Sequence, residues 1–111
     1  MKNNTLNGIP ATVLETMAGR MNGQTEPVKI RSNDDLVALT ADVLWVFACK
    51  TGLNRESESV DTIITDFLAN LLHLCGQCDP DGAGIECFNG LLETAKMHYE
   101  QECGDNGEEL V

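Results

Sequence analysis

The sequence predicts an all-α fold, a small three- to four-helix bundle made from 111 residues. Three observations carry the prediction. Apolar residues recur every three or four positions over 36–49, 60–75 and 85–99, which is the period of a helix burying one face. Polar capping residues and acids precede these runs, and glycines follow them. A turn rich in Gly, Pro and Asp separates the last two runs by a short distance, which makes them an antiparallel hairpin over about 57–76 and 85–103.

The elements follow in order. Residues 1–9 are polar and read as a flexible N-terminus. A short first helix begins at Pro10, where proline suits a first helical position, and runs to about Met21. Val13, Leu14, Met17 and Met21 recur along it at helical spacing. Asn22-Gly23 ends it, and residues 22–31 read as a loop with an extended piece at 28–30.

The second helix is capped by Ser32 or Asn33, carries Asp34 and Asp35 where the positive helix end favours acids, and stops before Gly52. Between Leu36 and Cys49 only Thr40 and Asp42 are polar. Leu36, Leu39, Val43, Val46 and Phe47 form one stripe, widened by Val37 and Leu44. Trp45 lies roughly opposite, beside Ala38 and Ala41. A helix apolar almost all round is normally buried on every side.

The third helix is capped by Ser57 or Ser59 and shows a broad apolar arc from Val60 to Cys75. The fourth starts near Ile85 with a narrow stripe of Ile85, Phe88, Leu91, Leu92, Ala95 and Tyr99. Gly104 stops it, and 104–111 read as an acidic flexible tail. Residues 10–103 thus form a single helical domain. No run of about 18 or more apolar residues exists to span a membrane. The polar start lacks the apolar run of a secretory signal. The expected location is the cytoplasm, with the five cysteines as reduced thiols.

Charge is divided unevenly. Residues 1–55 carry five acids and six bases, a net +1, whereas residues 56–111 carry thirteen acids and Lys96 as their one base, a net −12. A field that negative repels nucleic acid and anionic membrane and attracts basic protein surfaces.

Several constellations bear on chemistry. Cys75, Cys78 and Cys87 have zinc-type spacing, with His73 or His98 as a fourth ligand. Geometry argues against closure. His73 and Cys75 point about 200° apart on a helix, and His98 lies roughly 16 Å along the next helix from Cys87. The thiols read as small side chains at a hairpin end, so no cofactor or metal is expected. Residues 77–88 lack the ligand placement of a calcium loop. Asp66, Asn70 and His73 share one face, which reads as wet rather than catalytic. No nucleophile elbow, phosphate loop or paired-carboxylate pocket occurs, so the chain reads as non-enzymatic.

Two surfaces remain. Trp45, Ala38 and Ala41 form a candidate self-association face, since a tryptophan on the second face of an apolar helix anchors partners. The acids Glu58, Asp61, Asp66, Glu86, Glu93, Glu100 and Glu102 form a candidate partner-binding face.

The stretch Phe67-Leu-Ala-Asn-Leu-Leu-His73, a Gly-bearing turn, then Phe88, Leu91-Leu92, Ala95 and His98-Tyr99-Glu100 with Glu102, resembles small all-helical proteins of phages and mobile elements. In these a Leu-rich helix ending near His-x-Cys precedes a helix ending in His-Tyr-x-x-Glu. The resemblance covers about residues 63–103, and the Asp79-Pro80-Asp81-Gly82 turn is longer than in that group. It implies a mobile-element setting and carries over no residue's role. His98 and Tyr99 are expected to pack, closing the open end of the hairpin against the second helix. The expected function is an acidic protein-binding module that occupies a basic surface of a host protein or complex, as an inhibitor or nucleic-acid mimic. The alternative is a small homodimeric structural protein acting through the Trp45 helix.

Overall fold

A computed structural model describes residues 5–55, 57–79, 81 and 84–110, with 105–110 as backbone alone. The fold is all-α: α1 (Thr12–Ala18), α2 (Asn33–Thr51), α3 (Val60–Cys78) and α4 (Gly84–Leu110), with no strand among the described residues. Short 3-10 turns occur at Thr5–Gly8 and Gly19–Met21. Where the sequence suggests one domain over 10–103, the chain divides into two compact units, Met1–Phe67 and Leu68–Val111. The boundary falls inside α3.

The first unit holds the core. Ala11, Leu14 and Ala18 from α1 and its lead-in meet Ala41, Leu44 and Ala48 of α2, with Val60 and Ile63 of α3. Alanine at so many of these positions favours close helix approach. Ile9, Trp45, Phe47, Leu53, Ile64 and Phe67 pack around this cluster. The Phe47 and Phe67 rings meet edge to face, centroids 5.1 Å apart at 82°, a geometry worth about 0.5–1.5 kcal/mol beyond its buried area.

Backbone hydrogen bonds tie the start of α1 to the start of α3. The Ala11 N–H donates to the Glu58 carbonyl and the Val60 N–H to the Ile9 carbonyl, both at 2.9 Å. This antiparallel bridge between Pro10 and Ser59 joins segments far apart in sequence and has no local signature. The segment ahead of α1, expected to be loose, is therefore anchored from Ile9 onward, and residues 5–8 turn as a 3-10 segment.

The caps show how local sequence sets the helix ends. Ser59 caps α3, its hydroxyl accepting from the Thr62 N–H at 3.3 Å. Ser32 holds the capping position of α2, but its side chain makes no cap bond. Asp35 acts instead, reaching back to accept from the Arg31 N–H at 2.8 Å. Gly52 ends α2 with φ of 79°, and the Leu53 N–H closes the turn onto the Ala48 carbonyl at 2.8 Å. This is the left-handed stop glycine adopts without steric cost.

The second unit holds the end of α3 and all of α4. The turn between them is tight where the two helices begin and end: a Cβ added to Gly84 would lie 3.0 Å from the Gly76 Cα. The rest of that turn, Pro80, Gly82 and Ala83, lies outside the described residues. Helix α4 does not stop at Gly104 but continues to Leu110. A lone glycine costs a helix only about 1 kcal/mol relative to alanine, less than a full stop requires. Gly104 is also absent from the described glycines with positive φ, which are Gly23 and Gly52.

Candidate interaction surfaces

The inside of α2 cuts across the stripe reading: Leu44 and Phe47 of the stripe join the core, but its valines do not. Ala38 and Ala41 are buried, each 3% exposed, and Trp45 is half-buried against the core. Most of the Trp45, Ala38, Ala41 face is therefore covered within the chain. The valines lie on the outer side: Val43 and Val46 are about half exposed, at 49% and 47%. The physical reason is size: the short α1 approaches closely over Ala41 and Ala48, with Leu44 filling the space between the helices.

One buried charge escaped the sequence reading. Asp35, counted there as a helix-end acid, is 6% exposed. Its carboxylate accepts from Arg20 Nε at 2.6 Å as well as from the Arg31 N–H. The Arg20 hydrogen bond, then the Arg31 backbone bond, hold the Asp35 carboxyl below its ordinary range, with desolvation acting the other way. The same pairing raises the Arg20 pKa. Every polar bond of this site is internal, so its role is to fasten the chain end of α1 to the start of α2. Two arginines flanking a loop ahead of an Asp-Asp pair were the only available hint.

Most of the described acids of the second half are exposed. Glu58 and Asp61 are half-buried near the start of α3, and Asp66, Glu86, Glu93, Glu100 and Glu102 are exposed. Glu86, Glu93 and Glu100 recur every seven residues, which places them in one line along α4 at a spacing of roughly 10 Å. Lys96 meets Glu93 at 3.4 Å, with both side chains well exposed, a pair worth little in water. Glu58, Asp61 and Asp66 belong to the first unit, and Glu86, Glu93, Glu100 and Glu102 to the second.

Cys75 is half-buried, while Cys78 and Cys87 are exposed, and all are free thiols. Among the described residues no group of three or more His, Cys, Asp or Glu side chains converges as a metal site requires. Asp66, Asn70 and His73 are all exposed, a solvated face.

The surface that sequence reasoning missed is the apolar stripe of α4. Ile85 is 65% exposed, Leu91 58% and Tyr99 66%. Phe88 alone of the stripe is half-buried. The stripe expected to face a hairpin interior is thus open, and His98 and Tyr99 are both exposed. The Tyr99 hydroxyl instead hydrogen-bonds Cys103 one turn on, which raises its pKa.

No family model, curated protein or solved structure matches this chain. No helix among the described residues is long and apolar enough to cross a membrane.

Proposed function

We propose that this protein is an acidic, non-enzymatic binding module that occupies a basic surface on another protein, in the manner of an inhibitor or nucleic-acid mimic, in the phage or mobile-element setting that the sequence resemblance implies. The observation that carries the reading is the line Glu86, Glu93, Glu100 on exposed α4, with Lys96 as the single base from residue 56 onward. Carboxylates held on a helix at regular spacing present negative charge without the entropy cost of a disordered tail. Long-range attraction of this kind raises the association rate for a basic partner and weakens with salt.

The self-association alternative loses much of the surface on which it was built, because Ala38 and Ala41 are buried and Trp45 is half-buried against the core. The test is capture from cell lysate on the full-length protein at low salt, eluted with a salt step and read by mass spectrometry. A basic protein or complex released by salt is the expected result. A captured partner that stays bound at high salt, or an empty eluate, would overturn the reading. The triple variant Glu86→Gln, Glu93→Gln, Glu100→Gln is expected to weaken capture by about tenfold or more, chiefly through slower association.

A further inference from the structure

We propose that a second copy of this chain covers the apolar stripe of α4, the two α4 helices lying antiparallel. Three observations converge on that occupant.

The first is register. Ile85, Phe88, Leu92, Ala95, Tyr99 and Glu102 follow the alternating three- and four-residue spacing of a coiled-coil seam. In an antiparallel pair, first-position residues meet fourth-position residues of the other copy. Phe88 then faces Tyr99 of the second copy, Leu92 faces Ala95, a large side chain against a small one, and Ile85 faces Glu102 at each end of the seam. Each of these layers occurs twice by symmetry. A parallel pair would instead set Glu102 against Glu102.

The second is charge. A second copy of a chain this acidic is an unpromising partner unless its acids avoid the contact. They do so here. Glu86, Glu93 and Glu100 occupy the position next to the first seam residue on the outer side, away from the flanks that meet the other copy. The flanking positions hold Asn89, Leu91, Lys96 and His98. In the antiparallel register Asn89 lies near Lys96 of the other copy and Leu91 near His98, with no like-charged pair among them. The line of acids stays exposed in the dimer, so this inference is independent of the function proposed above.

The third is size and area. The unit Leu68–Val111 is close to the roughly 40 residues below which a chain needs disulfides, metal or association to hold a fold. Its cysteines are free thiols, and its described side chains form no metal-type cluster. Helix α4 spans 27 residues, yet none of its described large side chains is buried, and an isolated helix is marginal in water. Ile85, Phe88, Leu91, Leu92 and Tyr99 from both copies would together cover on the order of 1,000 Å², the area at which specific interfaces begin.

The test is sedimentation equilibrium of the full-length protein, whose chain mass is 12.1 kDa, across a concentration series, with two variants. Leu92→Glu changes a seam residue that is already 45% exposed in the chain, and Met97→Glu changes a residue 65% exposed on the side away from the seam. The wild type and Met97→Glu are expected to sediment as dimers. Leu92→Glu is expected to raise the dimer Kd by on the order of 100-fold, because the symmetric seam loses both leucines. Trp45 emission, which reports the separate core of the first unit, is expected to be the same in all three. A wild type that stays at the monomer mass throughout overturns the proposal. A Leu92→Glu protein that dimerises as well as the wild type, or a Met97→Glu protein that does not dimerise, overturns it as well.

Discussion

Ile63 is the largest fully enclosed side chain among the described residues, at 0% exposure, and it sits where α3 joins the core of α1 and α2. Replacing it with alanine removes three carbon groups. At about 0.8 kcal/mol each the lost transfer energy is about 2.4 kcal/mol, and the cavity left among helices that relax only partly adds roughly another 1 kcal/mol. The expected loss is therefore about 3–4 kcal/mol. A unit of this size is held by only about 3–9 kcal/mol in total, so Ile63→Ala removes a large share of its stability. The assay is urea unfolding followed by the emission of Trp45, the single tryptophan, which packs on the same cluster. The midpoint should fall steeply while the slope stays constant. Ile63→Val, one carbon smaller, should lose only about 0.5–1.5 kcal/mol. A loss below about 1 kcal/mol for Ile63→Ala would refute the reasoning, because the site would then be loosely packed or able to collapse.

Three further perturbations test other parts of the structure. Gly52→Ala places a Cβ in open space but at φ of 79°, so its cost is backbone strain alone, about 1 kcal/mol by urea unfolding. Gly84→Ala drives a Cβ to 3.0 Å from the Gly76 Cα, a backbone atom that cannot rotate away, whereas Gly76→Ala meets nothing within 4 Å. The first is expected to destabilise the second unit by about 1–3 kcal/mol and the second to stabilise its helix by about 0.5–1 kcal/mol, read by circular dichroism during thermal melting. The Asp35 carboxyl is held below its ordinary 3.8 in the folded chain. A depressed acid stabilises the fold above its unfolded pKa and loses that contribution as pH falls through the folded one. The melting temperature of the wild type should therefore exceed that of Asp35→Asn near neutral pH, and the gap should close as pH drops below about 4. A gap that persists at the lowest pH would show that the Arg20 pairing is not its source.

Helix positions, the turn between α3 and α4, and the Gly52 stop were legible in the sequence because each follows from residues within a few positions of one another. Apolar spacing of 3.6 residues, a capping serine at 59 and a glycine free to take positive φ act locally, and tertiary context left them intact. The uneven charge was legible for the same reason, since it needs only counting. Which face of α2 turns inward was not. That helix is apolar on both sides, so its own pattern cannot choose. The choice depends on α1, whose Ala11, Leu14 and Ala18 fit the alanine face better than the valine ridge. The Asp35–Arg20 pair, the Pro10–Ser59 bridge and the uncovered stripe of α4 likewise belong only to the tertiary structure. Each depends on whether a distant segment arrives beside it, and the free energy of that meeting is a property of both partners rather than of either sequence pattern alone.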